Sequence, residues 1–457
     1  MKCIIFLLCF TLSLSFLKAD AQHLKRRPFL GTQLAPVKDS LRKALNLENN
    51  TGMVVAEVYP GGTAFDLNLQ KDDIITAING VRIQTIQDVI TTIAKQEVGQ
   101  LISVEYLRSG QSSETKGKLK PSSLESDPNT DVIYDEVKVT SGYVRSIIKK
   151  PKDKNKVPAV FFIQGIGCGS IDQLSRFDMQ RQLIDALVKK GYAVFRMEKP
   201  GVGDSHGTKQ CTDIGYNEEK DAFLAGLRSL KKFDFIDKDN VFLFGHSLGG
   251  NTAPLIASEE KVKGIIAYGS VTKPWLEYLL DVHRDQRPLY GIDYMQVDYE
   301  MKELIPWFYE YLVLKKTPAE LAADKDNPIK KRSLFDANGR FAGRHYTFLQ
   351  ELQEVPTAKA WKDAAAYSLG IYGEADVQAL NADAAKMMAD IVNRYHPGKG
   401  EYLILPGTDH SFAEVGSKQE YIKLQSSGKY MEKAKNLFSN KLVTAIDQWM
   451  KDKFNKS

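Results

Sequence analysis

The hydrophobic pattern divides the chain into stretches of different period. Residues 3–17 are an almost unbroken apolar run, interrupted by Thr11, Ser13 and Ser15. Residues 28–120 change period repeatedly, as small β-rich domains do. Within them residues 52–58 read as a strand ended by Pro60-Gly61-Gly62, and residues 63–69 as a short helix. Residues 73–78 form a second strand closed by Asn79-Gly80, a hairpin signal. Residues 86–95 have the spacing of an amphipathic helix, and 101–107 alternate as a strand. Residues 121–131 are poor in apolar side chains and rich in Pro, Ser, Asn and Asp, a linker composition.

From residue 132 the pattern changes. Residues 132–139 and 143–149 alternate like antiparallel strands. Residues 159–163 are continuously apolar, as a strand buried on both faces must be. Helical spacing over 179–190, 217–233 and 249–258 then alternates with apolar runs at 193–197, 241–244 and 263–269. That rhythm predicts a mostly parallel sheet with helices on both faces. It breaks at residues 271–366, which are rich in Tyr, Trp, Arg and Asp without a buried strand, and predict an inserted helical cap. It resumes with a strand at 367–372, a helix at 379–395, a strand at 401–405 and a last helix near 431–453.

Charge and cysteine usage narrow the classes. The 62 basic and 57 acidic side chains leave a net charge of +5 with no basic block, which argues against a nucleic-acid partner. Lys2, the short apolar run and Ala19-Asp20-Ala21 read together as a signal peptide, residues 1–21, cleaved after Ala21. The run is shorter than the roughly 20 residues a spanning helix needs, so export without stable membrane insertion is expected, to the periplasm or the medium. Residues 23–27 read as a flexible basic lead-in. Of four cysteines, Cys3 and Cys9 leave with the signal peptide. Cys168 and Cys211 remain, on loops that adjacent strands bring to one sheet edge, and an oxidising compartment permits a disulfide between them. No His, Cys or Asp spacing forms a metal site, and no cofactor motif is present.

The strongest chemical signal is Gly245-His246-Ser247-Leu248-Gly249, set between an apolar strand and a helix. A strained turn there exposes a serine oxygen at the strand's C-terminal end, and glycines either side let strand and helix approach. Ser247 is the expected nucleophile. Oxyanion donors are expected from the N–H of Leu248 and, in the glycine-rich loop Gln164-Gly165-Ile166-Gly167-Cys168-Gly169, from that of Ile166. In chain order an acid and a histidine should follow the serine. Asp376 follows the penultimate strand three residues after Gly373, with Glu374 its rival. His410 follows the last strand; His283 and His345 fall in the cap, and His396 at a helix end. Asp204, in Lys199-Pro200-Gly201-Val202-Gly203-Asp204-Ser205, reads as a structural turn residue.

These matches make residues 132–457 resemble the α/β-hydrolase superfamily, closest to its dienelactone-hydrolase-like and prolyl-oligopeptidase-like branches. The resemblance implies an α/β fold and a serine hydrolase. Carboxylic ester hydrolysis is the leading expectation, a serine peptidase acting on short peptides the alternative, and a non-catalytic binding protein the remaining one. Residues 28–120 resemble a PDZ domain of the kind attached to bacterial exported proteases. The resemblance is carried by Pro60-Gly61-Gly62-Thr63-Ala64, Leu69-Gln70-Lys71-Asp72-Asp73-Ile74-Ile75 and Ile78-Asn79-Gly80. It implies that Phe29-Leu30-Gly31 would receive a peptide C-terminus while the peptide adds a strand to the sheet edge.

Overall fold

The computed structural model describes residues 23–47, 51–172, 174–323 and 334–456. The apolar run and the cleavage signal lie outside the described residues. In the N-terminal part, strands Thr32–Pro36, Met53–Val58, Ile74–Ile78, Leu101–Arg108 and Gln111–Lys118 lie side by side in that order. Asn79 and Gly80 turn with φ of 51° and 74°, which pairs Ile74–Ile78 with Val81–Arg82 as the Asn-Gly signal requires. Helix Ile86–Ala94 starts at a capping box made by Thr85 and Asp88. Its Val89 and Ile93 face a core with Val55, Ile75, Ile78 and Val104.

The larger part is built on eight strands: β1 Thr130–Val139, β2 Gly142–Pro151, β3 Val157–Ile163, β4 Ala193–Met197, β5 Ile236–His246, β6 Gly264–Tyr268, β7 Tyr367–Gly373 and β8 Gly400–Leu405. Their order across the sheet is β1-β2-β4-β3-β5-β6-β7-β8. β1, β2 and β4 pair antiparallel, and all later pairs are parallel. The sheet is therefore mostly parallel, and both faces are covered. Phe161, Phe195, Leu243 and Ile265 pack against helices Tyr216–Leu230, Gly249–Glu259 and Asp383–Tyr395. Val160, Val194, Phe242 and Ile266 pack on the other face against Met179–Lys189 and Asn440–Lys451. Fully burying each such side chain contributes about 1.5–3 kcal/mol, which is why the two-sided apolar runs declare themselves in the sequence.

Between β6 and β7 the chain forms helices Trp275–Leu289, Tyr294–Phe308, Tyr346–Gln353 and Thr357–Ala364, with only a two-residue hairpin, Arg340–Phe341 with Arg344–His345, among the described residues. Four expectations differ in detail. Helix Asp383–Tyr395 begins later than residue 379, because Leu380 takes φ 68°. The last helix is divided: Tyr430–Ala434 ends in a turn at Lys435 and Asn436, and Asn440–Lys451 restarts on Ser439, whose hydroxyl accepts the Leu442 N–H. Residues 23–27 are anchored rather than loose. Leu24 is buried, Arg26 pairs with Asp172 and Asp204, and His23 with Glu136. The 121–131 stretch is tied down as well, through Glu125 to Arg196 and Arg181 and through Asp127 to Lys149.

Candidate active site

β5 ends at His246 and the next helix starts at Gly249, leaving Ser247 in the turn with φ 55°. A left-handed serine costs about 1–2 kcal/mol and persists only where its surroundings impose it. Here the Ser247 N–H donates to Tyr268 O at 2.8 Å, and Ser270 Oγ donates to Ser247 O at 2.9 Å. A Cβ at Gly249 would collide with the Ile163 carbonyl, so only glycine lets the helix approach β3 this closely.

His410 and Asp376 come from the loops after β8 and β7. His410 Nδ1 donates to Asp376 Oδ2 at 2.7 Å, and both are buried. The other carboxylate oxygen of Asp376 accepts the N–H groups of Gln378 at 2.7 Å and Ala379 at 2.9 Å, which fixes the carboxylate's orientation. Glu374 turns away and accepts the Gly407 N–H. The turn carrying His410 is shaped by Asp409, whose carboxylate accepts the N–H groups of Ser411 and Ala413 and the Tyr430 hydroxyl. Burial disfavours charge on His410, but the Asp376 carboxylate and its hydrogen bond outweigh that and raise the imidazole pKa above its ordinary value. Ser247 Oγ is not hydrogen-bonded to His410 in this arrangement; such contacts often tighten only with substrate.

The other histidines are elsewhere. His283 pairs with Glu300, His345 caps the helix Tyr346–Gln353, and His396 sits at the C-terminus of Asp383–Tyr395 and contacts Lys362 O. Asp204 does more than close its turn. It accepts from Arg26, from the Arg27 N–H and from Arg145, so it anchors the N-terminal segment.

The Gln164–Gly169 loop follows β3, and a Cβ at Gly165 would lie 3.1 Å from Ser247 Cβ. Neither the Ile166 N–H nor the Leu248 N–H donates to a protein acceptor among the described residues. Cys168 and Cys211 form a disulfide, with Cα atoms 5.8 Å apart, tying this loop to the one after β4.

Two participants were not singled out from the sequence. His246, inside the serine motif, is buried and holds the His410 carbonyl at 2.8 Å. Burial and the neighbouring His410 push its pKa down to about 3, so it stays neutral and donates from Nε2. Gly269 passes so close to the acid–histidine pair that a Cβ there would lie 2.9 Å from both Asp376 Oδ2 and His410 Nδ1. Among the described residues no group of three or more His, Cys, Asp or Glu could hold a metal ion.

At the other end, Phe29 pairs with Lys120 in a short ladder, and Gly31 follows Leu30 with φ 82°. The carbonyls of Phe29, Leu30 and Gly31 accept from Thr63 Oγ1, the Ala64 N–H and the Tyr59 N–H. The loop is thus braced by the Gly-Gly-Thr-Ala segment that carries the resemblance.

Comparison with known proteins agrees with this architecture. Residues 28–119 match the family model for the PDZ domain, and residues 158–352 that for the alpha/beta hydrolase fold. The chain therefore joins a PDZ domain to a domain of α/β-hydrolase fold, and the fold expected from the sequence is borne out. A probable periplasmic serine protease do/HhoA-like of Haemophilus influenzae is 38% identical over 95 residues, 21% of this chain and 20% of that protein. The periplasmic pH-dependent serine endoprotease DegQ of Escherichia coli is 30% identical over 101 residues, 22% of each chain. The chain thus spans about a fifth of the length of these curated relatives. Among solved structures, Est1E from Butyrivibrio proteoclasticus aligns with a TM-score of 0.42 and 15% identity, over 71% of this chain and 99% of that one. The acylaminoacyl peptidase of Pyrococcus horikoshii aligns at 0.41 and 14%, over 73% and 46%. Among the described residues no helix is long and apolar enough to cross a membrane.

Proposed function

We propose that this chain is an exported serine hydrolase, foremost a carboxylic ester hydrolase, with Ser247 as nucleophile, His410 as general base and Asp376 as its orienting acid. The observation that carries the reading is a left-handed Ser247 at the end of β5 on the same sheet edge as a buried His410–Asp376 pair, 2.7 Å apart, from the loops after β8 and β7. Ser247 Oγ attacks the ester carbonyl carbon and its proton passes to His410. The carbonyl oxygen, now an oxyanion, accepts from the N–H groups of Leu248 and Ile166. Collapse expels the alcohol, which takes the proton from His410. Water, deprotonated by His410, then attacks the acyl carbon, and collapse releases the acid as Ser247 Oγ takes the proton back from His410. Asp376 holds the imidazole tautomer and stabilises the imidazolium. The disulfide stiffens the donor loop, which suits an oxidising compartment, periplasm or medium, after removal of the signal peptide. The cap restricts access and favours small esters or short peptides. Stopped-flow hydrolysis of a p-nitrophenyl ester tests this: a burst approaching one equivalent of nitrophenol supports an acyl-enzyme, and no turnover by folded protein contradicts it. Faster cleavage of short acyl-peptide substrates than of esters would instead favour the peptidase reading.

His410 must be neutral to accept the serine proton. Because its pKa is raised, activity is suppressed at low pH and is gained as pH rises through a value above the ordinary imidazole figure of about 6.5. A pH profile of kcat/KM should show this acid limb with unit slope; a flat profile between about pH 5 and 8 contradicts His410 as base.

The PDZ domain supports a second, independent binding role, capture of a peptide C-terminus at Phe29-Leu30-Gly31 beside the edge strand Thr32–Pro36. Calorimetry should find that a peptide with an apolar C-terminal residue and free carboxylate binds at least about tenfold tighter than its amide, since the backbone N–H groups recognise the charge. Equal affinities contradict the assignment.

A further inference from the structure

β4 delivers two buried charges that the chemistry above does not use, Glu198 and Lys199. Glu198 turns to Ser170 Oγ and the Ile171 N–H. Lys199 turns the other way, beneath the donor loop. Its Nζ donates to the Gly165 carbonyl at 2.6 Å and pairs with Glu219 at 2.8 Å. From the segment between β6 and β7, the buried Arg344 donates to the Ile166 carbonyl at 2.8 Å and to the other oxygen of Glu219 at 2.6 Å. Its guanidinium also lies 3.7 Å from the centre of the Phe348 ring. Two cations sharing one carboxylate thus grip two consecutive carbonyls of the loop that backs onto Ser247.

Burying such a triad is expensive, and an apolar replacement of the same volume often folds as well or better. What the charges provide is direction and polarity. The Gly165 carbonyl and the Ile166 N–H belong to one trans, planar amide and point opposite ways. Fixing the carbonyl on Lys199 therefore aims the N–H away from Lys199, out of the loop's anchored side. A cation on the carbonyl also draws electron density through the amide, making the N–H a stronger donor.

We propose that Lys199 is a positioning residue that aims and polarises the Ile166 N–H toward the oxyanion, with Arg344 holding the following carbonyl. This rests on the serine-hydrolase reading and specifies how its donor loop works. Lys199 acts on the transition state, because charge on the substrate oxygen develops only there. The groups facing Lys199 are Glu219 from the helix, Arg344 from the hairpin and the Gly165 carbonyl. Burial lowers the Lys199 pKa, Glu219 opposes this and Arg344 adds to it, for a result of about 8. The ammonium is present below that pH and lost above it.

The test uses the full chain and a p-nitrophenyl ester, with wild type, Lys199→Met, Lys199→Arg and Ser247→Ala. Lys199→Met should lower kcat about a hundredfold with KM little changed, comparable to removing an oxyanion donor. Wild type should lose kcat as pH rises past about 8, and Lys199→Arg should abolish that alkaline limb, since guanidinium stays charged. Wild-type kcat in Lys199→Met, or a loss confined to KM, overturns the proposal. If Lys199→Met does not fold, Lys199→Arg carries the test: an alkaline limb present in wild type and absent from this variant supports the proposal, and identical profiles overturn it. Turnover by Ser247→Ala within about tenfold of wild type, or inert wild type, removes the serine-hydrolase reading itself, which is distinguishable from a failure of Lys199 alone.

Discussion

Replacing Ser247 with Ala should reduce kcat for ester hydrolysis by about 10⁵–10⁶-fold while leaving the fold intact. The size follows from the role. Without Oγ no acyl-enzyme forms, and His410 has no proton to accept. Catalysis of roughly 10³-fold over water should survive, because the oxyanion donors remain. Stability should not fall, since Ser247 Oγ holds no buried partner and alanine tolerates the left-handed turn about as poorly as serine does. Steady-state assay together with thermal melting checks both halves. A drop of less than about tenfold would show that Ser247 is not the nucleophile.

The second large effect is expected at Asp376. Asn in its place is nearly isosteric and can still accept the N–H groups of Gln378 and Ala379 through its carbonyl oxygen. Its amide then faces His410 Nδ1 as a donor, which forces the imidazole into the tautomer with its proton on Nε2, where it cannot accept the serine proton. The expected loss is about 10⁴-fold in kcat. The same change removes the charge that raises the His410 pKa, so any residual activity should show its acid limb displaced to lower pH. Glu374→Gln is the matched control. Its carboxylate serves the Gly407 N–H on the far side of the loop, and near wild-type kcat is expected. The reverse ranking of the two variants would reassign the acid to Glu374.

Much of this site is visible in the sequence because its parts are local. Ser247 stands out through the apolar run before it and the glycines around it, Asp376 through its place after the buried strand Tyr367–Gly373, and His410 through its place after the half-exposed edge strand Gly400–Leu405, where chain order marks it rather than burial. Burial of both sheet faces leaves a continuous signal, and topology then orders the loops. Lys199, Glu219 and Arg344 leave no such trace. They meet from a loop, a helix and a hairpin, with Arg344 125 residues beyond Glu219, and each reads singly as an ordinary surface charge. The 23–27 segment escaped for the same reason: its basic character suggested a free end, whereas its partners Glu136, Asp172 and Asp204 lie more than a hundred residues away. The broken C-terminal helix is a different kind of miss. Ser439 is a cap signal within the helical spacing, and the period outweighed it.

The proposed chemistry requires one activated serine in this chain. Treatment with a fluorophosphonate probe, followed by intact mass and peptide mapping, tests it most directly. A single adduct is expected, on the peptide containing Ser247, formed at neutral pH and absent from Ser247→Ala. Folded wild-type protein that gains no adduct, or carries it on another residue, would contradict it.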